Sequence, residues 1–288
     1  MVLLVGATGR LGGRVARELL SRRTPVRALC RPQSGSGALR RMGAEIAIGD
    51  LKDAASLAAA CAGVETVVTT ANSARRGGDD TVDTVDRDGT ASLIDAAAAA
   101  GVQHFVYVSA FGAAPDSPTA FLAAKGANEA RVRASGMAWT VLAPYLFMES
   151  WPGALVGVPA LARRPIVIVG EGRRRHSFVA EHDVAAFVAA SVLNVAARNR
   201  YVPVGGPDSW TWRDVIASYE KALDRPLEAQ FVARGETVND LSPLVRDLLA
   251  KQDDGDTIID MSAVAEELGV RQTPLDAWVR ASVATARV

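Results

Sequence analysis

Short apolar runs alternate with amphipathic stretches through the first half of the chain, a rhythm that predicts parallel strands joined by helices. Val2-Leu3-Leu4-Val5 is apolar without interruption, and Val15, Ala16, Leu19 and Leu20 then recur at helical spacing. The same alternation predicts strands near Val2–Val5, Val26–Cys30, Glu45–Ile48, Thr66–Thr69, His104–Ser109 and Ala138–Ala143. Helices are expected near Leu11–Arg22, Ala38–Met42, Ala54–Cys61, Thr84–Ala100 and Phe121–Ser135. Gly101 and Gly136 stand where the last two of these helices need C-caps. Six strands in this order predict an α/β fold, a doubly wound parallel sheet of the Rossmann kind. Its ligand should lie along the C-terminal strand ends.

Near Met148 the rhythm changes. Trp151-Pro152-Gly153 and the stretch to Pro165 read as an irregular excursion or lid. Beyond it come a strand near Ile166–Val169, a Gly170-Glu171-Gly172 turn and an apolar helix over Val184–Val195, with Asp183 as a candidate cap. Further strands are expected near Tyr201–Val204 and Leu227–Ala233, and helices near Trp212–Leu223, Leu241–Lys251, Ala263–Leu268 and Leu275–Val283. We therefore expect a Rossmann domain over residues 1–147. Residues 148–288 should form a mainly substrate-binding C-terminal region, with some elements returning to the first core. The polar stretch Arg75–Asp80 reads as a loop.

The turn between the first strand and first helix is Gly6-Ala7-Thr8-Gly9-Arg10-Leu11-Gly12. Gly6 permits a tight turn, Gly9 lets a pyrophosphate approach the backbone, and Gly12 lets the helix pack closely on the strand. The helix N-terminus offers N–H groups and a partial positive charge to phosphates. The spacing is GxxGxxG rather than GxGxxG. Its place after a strand and before a helix makes it a dinucleotide-site signal.

Of the 288 residues 49% are hydrophobic, enough for a substantial core, and the formal net charge is zero. That balance argues against nucleic acid or an anionic membrane as the main partner. No apolar run approaches 18 residues, so no membrane span is expected. With an opening that already reads as a core strand, the chain is expected to be cytoplasmic and to act on a small molecule; a homodimer is left open. Cys30 and Cys61 sit in apolar stretches and read as small buried hydrophobes in a reducing compartment, and no residue set shows metal-ligand spacing.

The end of the second strand bears on cofactor choice. A carboxylate there would bind both ribose hydroxyls of NADH; the chain has Cys30-Arg31-Pro32 instead. Arg31 can pair with a 2′-phosphate, and Arg10 can add a second contact; the alternative is two solvated arginines. We expect NADP(H). After the third strand, Asp50 can accept from the adenine amino group while Leu51 covers the ring, or Asp50 is an ordinary loop residue. Thr70-Ala71-Asn72 ends the fourth strand with small residues that let a cofactor approach. Ser109 ends the fifth as a pocket hydroxyl or a turn residue.

These stretches, with Val26–Arg31, Gly49-Asp50-Leu51, Phe121–Lys125, Lys125–Glu129, Ser135–Pro144, Phe147-Met148-Glu149 and Phe178–Ala185, resemble the atypical short-chain dehydrogenases/reductases, and within them the NmrA-like group. That group includes isoflavone-reductase-like enzymes and NAD(P)H:quinone oxidoreductases, and the resemblance covers nearly the whole chain. It implies NADP(H) binding by Gly6, Thr8, Gly9, Arg10, Leu11, Gly12, Arg31, Asp50, Leu51, Lys125 and the Pro144–Phe147 segment. It also implies an oxidoreductase, or, since NmrA is itself a regulator, a non-catalytic NADP(H) sensor or scaffold.

The chain departs from the wider family at Phe121. Typical members place a tyrosine, the general acid, four residues before the lysine, where both share a helix face. Here phenylalanine precedes Lys125. Lys125 can still bind ribose hydroxyls and stabilise developing negative charge; the plain alternative is a solvated surface lysine. A ketone reduced without a placed acid becomes an alkoxide, whereas a quinone becomes a phenolate-like anion with a conjugate-acid pKa nearer that of tyrosine, about 10. The sequence thus favours conjugated acceptors such as quinones, enones or imines. Tyr145 or Ser109 acting as proton donor would restore simple ketones. Phe147 and Trp151 are candidate walls of the acceptor pocket. His176 and His182 flank Phe178; each faces the pocket or is a satisfied structural histidine, and His176 is the pocket candidate. His104 reads as structural.

Overall fold

The computed structural model describes residues 1–74, 76–236, 241 and 243–286. The chain divides into two compact units. The first comprises Met1–Pro144, Val184–Pro203 and Leu268–Val270; the second comprises Tyr145–Asp183, Val204–Glu267 and Arg271–Val288.

Strands β1 (Val2–Val5), β2 (Val26–Cys30), β3 (Glu45–Ile48), β4 (Thr66–Thr69), β5 (His104–Val108) and β6 (Ala138–Pro144) build the sheet of the first unit. The strand Arg200–Val204 adds a seventh member beside β6, and the order across the sheet continues β6-β5-β4-β1-β2-β3. Every pairing among β1–β6 is parallel, with Val2 opposite both Val26 and Thr66. The order reverses between β1 and β4, the switch point of a doubly wound sheet. β1, β4 and β5 are buried along their whole length, which is why they read as near-continuous apolar runs. Helices α1 (Arg10–Ser21), α2 (Gly37–Arg41), α3 (Ala54–Cys61), α4 (Asp88–Ala99) and α5 (Ala120–Ala134) cross between strands. The core joins Leu3, Val5, Leu57, Val67, Leu93, Phe105 and Val141. Cys30 and Cys61 are buried free thiols, and burial pushes Cys61 up to about 11.

One predicted helix divides. Thr84–Ala100 is not one α-helix: Val82–Arg87 forms a wider π turn before α4 begins. The Asn128 amide donates to the carbonyls of Asp86 and Arg87 at 2.7 and 3.1 Å, so those carbonyls have a partner outside the ordinary helical ladder. Of the polar stretch Arg75–Asp80, Arg75 lies outside the described residues. Gly77 and Gly78 turn with positive φ and bring Asp80 back opposite Gly77.

His104 sits in β5 as a structural residue. Thr140 Oγ1 donates to the Ala197 carbonyl at 2.7 Å and so accepts from His104 Nε2 at 2.9 Å, while Nδ1 has no partner. Burial, helped by Arg198, lowers its pKa to about 4. The folded pKa is depressed, so the unfolded chain binds the extra proton below about 6.5. Stability is therefore expected to fall progressively from pH 6.5 toward 4, and His104→Asn should flatten that slope in urea titrations. An unchanged slope would remove His104 from the acid response.

The second unit holds a three-stranded sheet in the order Ser209–Trp210, His176–Val179, Leu146–Phe147, and a two-stranded sheet pairing Ile166–Val169 with Ala229–Val232. The expected excursion after Met148 contains a π turn, Pro152–Gly157, and a short helix, Val158–Leu161. A helix expected over Leu241–Lys251 runs Pro243–Gln252; Ser242 lies outside the described residues. The sequence shows no independent core here, yet one exists: Phe178 meets Trp212 edge-on at 5.4 Å amid Leu146, Ile168, Val215 and Val279. Its members are scattered from 146 to 283, so no single window reveals them. Asp183 does not cap its helix, which starts two residues earlier at Glu181. The Glu149 carboxylate takes the Glu181 N–H at 3.1 Å, and Asp183 accepts from the Thr273 N–H at 2.7 Å.

Candidate functional site

The glycine turn folds as a bare cradle. Gly6 adopts φ +86°, and a Cβ there would lie 2.7 Å from Thr70 Oγ1 and 2.8 Å from the Ala71 nitrogen. A Cβ on Gly12 would stand 2.1 Å from the Gly6 carbonyl oxygen, so side chains are excluded on both sides of the turn. Gly9 is the N-cap of α1, with no side-chain cap and no acidic residue in the first turn. A phosphate can therefore approach the positive end of α1 without meeting a capping side chain or a first-turn carboxylate. A cavity of about 360 Å³ opens here, lined by Thr8, Gly9, Arg10, Gly13, Arg14 and Leu39. These features fit the pyrophosphate of a dinucleotide. Leu11 is half-buried on the same turn.

Toward β2 and β3 the geometry is more specific than the sequence suggested. Arg31 Nη1 contacts Asp80 Oδ2 at 2.5 Å, and Lys52 Nζ reaches Asp80 Oδ1 at 2.6 Å. Asp50 Oδ1 accepts the Lys52 backbone N–H at 2.9 Å. Leu51 is buried in the core against Gly89, whose missing Cβ leaves the slot. Ala71 is likewise in the core, Thr70 packs beside Gly6, and the Asn72 side chain closes its own turn by accepting from Ala74 N–H at 3.0 Å.

Lys125 is not a surface lysine. It is 3% exposed on α5, with Nζ donating to the Val108 carbonyl at 3.2 Å and lying 4.9 Å from the Tyr107 ring centre and 5.5 Å from that of Phe121. Burial pushes its pKa down to about 8, while Asp86 and Glu129 act in the opposite sense. Close packing makes this burial possible: a Cβ on Gly126 would lie 2.4 Å from the Ala114 carbonyl carbon. Ser109 is buried too, and its hydroxyl donates to Glu129 Oε1 at 2.6 Å. That proton is directed at Glu129 rather than at open solvent. Glu129 also receives Arg133 at 2.9 Å. Sequence reasoning passed over Tyr107, Asp86, Asn128 and Glu129. The available signal was Glu129 four residues beyond Lys125, which places both on one helix face.

In the second unit, Tyr145 Oη lies 3.3 Å from His176 Nδ1. Burial lowers the His176 pKa and raises that of Tyr145. A neutral imidazole can accept the phenol proton at Nδ1. His176 is 1% exposed and is a partner of Tyr145, the arrangement of a satisfied structural histidine. Phe147 and Trp151 are half-buried, whereas Pro144, the last residue of β6, is buried in the first unit and accepts the Phe111 N–H at 3.0 Å. His182 is exposed and bonds Thr273 at 2.7 Å. Among the described residues no helix is long and apolar enough to cross a membrane.

Residues 6–194 match the family model described as NAD(P)H-binding. An NAD(P)H azoreductase of Xenophilus azovorans is 33% identical over 227 residues, covering 79% of this chain and 75% of the relative. A photosystem II assembly factor, Ycf39 of Trieres chinensis, is 29% identical over 93% of this chain and 82% of its own. An NADPH-dependent quinone oxidoreductase of Escherichia coli has the same fold, with a TM-score of 0.80 at 22% identity over the whole of both chains. With its glycine cradle and its buried lysine after Phe121, the chain belongs to the NAD(P)H-binding, NmrA-like group of atypical short-chain dehydrogenases/reductases and is an NAD(P)H-dependent oxidoreductase.

Proposed function

We propose that this protein is a cytoplasmic NADPH-dependent reductase of small conjugated acceptors such as quinones, azo compounds, enones or imines. The observation that carries the reading is Lys125, buried beside a phenylalanine where a general acid would otherwise stand. The bound cofactor supplies the hydride. Lys125 orients the ribose and contributes positive potential in a site of low dielectric, where a fixed charge acts strongly. Gly6, Thr8, Gly9, Arg10 and Gly12 hold the pyrophosphate, and Arg31 the 2′-phosphate. Phe147 and Trp151 contact the acceptor. Tyr145 is the nearest phenol in the sequence to the end of β6, and its bond to His176 can relay a proton.

Quinones and enones suit this set because hydride addition leaves a delocalised phenolate or enolate that solvent can protonate, whereas an imine or azo nitrogen must take a proton as the hydride arrives, a role for Tyr145. A placed general acid is worth about 10²–10⁴-fold in rate. Purified protein is expected to oxidise NADPH with quinones at least about 10²-fold faster than with unconjugated ketones. Equal rates on both classes would overturn the acceptor assignment. Tight NADPH binding with no turnover on any acceptor would support a second reading, an NADP(H)-responsive assembly factor or regulator, which the likeness to Ycf39 favours. That reading requires a partner whose binding differs between NADPH and NADP⁺.

A further inference from the structure

The loops after β2, β3 and β4 converge on one buried carboxylate. The Asp80 side chain is 5% exposed. Arg31 lies at 2.5 Å, Lys52 at 2.6 Å and Arg76 at 3.6 Å. Among the described residues three cations thus share one contacting anion. Asp50 and Asp79 act on Lys52 only through space, beyond Asp50's bond to its backbone. Asp80 is held below its ordinary carboxylate range by Lys52 first, then Arg31 and Arg76, and Lys52 is raised in turn.

A motif meant only to neutralise Asp80 would need one cation. Here Arg31 spends Nη1 and keeps Nε and Nη2, while Lys52 spends one of three N–H bonds. Their side chains are 29% and 36% exposed, so the remaining donors can meet a ligand. A phosphate monoester carries roughly −1.5 to −2 charge at neutral pH, which matches the excess of two cations in the contacting set. Without Asp80 the cations would repel one another and spread into solvent.

We propose that Lys52 is a second ligand for the 2′-phosphate of NADPH, and that Asp80 is the positioning residue that holds Lys52 and Arg31 side by side for it. This rests on the NADPH reading above. The surface is an anion fork assembled from three loops rather than a lone arginine.

Titration of the full-length protein with NADPH and with NADH, which differ only in that phosphate, tests both levels. The wild type is expected to bind NADPH more tightly. Equal affinities would overturn the NADPH reading and this inference with it. Given that preference, Lys52→Met is expected to raise the NADPH Kd about 10-fold and move the NADH Kd less than about twofold. Asp80→Asn is expected to raise the NADPH Kd about fivefold, also with NADH unmoved, and Asp80→Glu to restore part of the loss. Parallel shifts for both cofactors, or no shift with Lys52→Met, would overturn the role of Lys52. Tighter NADPH binding by Asp80→Asn would overturn the positioning role, since Asp80 would then compete with the phosphate.

Discussion

Gly12→Ala is expected to lower the melting temperature by roughly 6–12 °C and to abolish measurable cofactor binding, while Gly13→Ala, one residue on, raises it. The two glycines share a helix and differ in what lies beneath them. A Cβ at Gly12 falls 2.1 Å from the Gly6 carbonyl oxygen, 2.6 Å from its carbon and 2.9 Å from Ala7 Cα. All three are backbone atoms, so no side chain can turn aside. Either α1 lifts away or the turn opens, at about 3 kcal/mol or more. Each kcal/mol moves the midpoint of a chain this size by roughly 2–4 °C. Opening the turn also misplaces the backbone N–H groups at the start of α1, which is why binding fails with stability. At Gly13 the same Cβ sits 3.5 Å from the Ala7 carbonyl oxygen, an ordinary contact. There the change removes backbone entropy from the unfolded chain and contributes about 1 kcal/mol of helix propensity. Differential scanning calorimetry of both variants checks the pair. A Gly12→Ala protein melting with the wild type would mean that this packing is not what the third glycine protects.

The sheet was legible because its strands are dominated by short apolar runs, such as Val2–Val5 and Phe105–Val108, which recur between helical patterns. Val2–Val5 and Thr66–Thr69 were placed residue for residue. The second unit was harder. His176–Val179 opens on two polar residues and Ser209–Trp210 has only two residues, so neither shows an apolar run, and they pair across more than thirty positions. The π turn at Val82–Arg87 depends on an amide 42 residues away at Asn128, and no local pattern carries that. At the site, the glycine turn and Lys125 were visible because their chemistry is tied to a local spacing. The packing of Leu51 depends on Gly89 and the bond of Ser109 on Glu129, each on another element, so neither shows in a local window. Chemistry that one short segment can express was readable. Chemistry shared between segments required the fold.

Lys125→Met is expected to lower kcat by about 10²–10³-fold while leaving the protein at least as stable as the wild type at pH 7. Burial holds the lysine near 8, below its ordinary value of 10.5. Between those values the unfolded chain binds the extra proton, so wild-type stability should rise as pH climbs from 8 toward 10.5. Below pH 8 the full cost of the buried cation is present, about 3 kcal/mol from a depression of that size. Methionine removes the charge, keeps most of the volume and leaves Glu129 with Ser109 and Arg133 as partners. Activity and stability therefore move in opposite directions, which a structural role for Lys125 would not produce. The pH profile adds a second check. If the positive charge assists turnover, wild-type kcat should fall as pH rises through about 8, and that limb should vanish in the variant. A limb that persists in Lys125→Met would assign the titration to another group. A variant that is both inactive and unfolded would make Lys125 a packing residue. Retained activity with a flat profile would leave the aromatic faces of Tyr107 and Phe121, not the ammonium, as what this part of the site contributes.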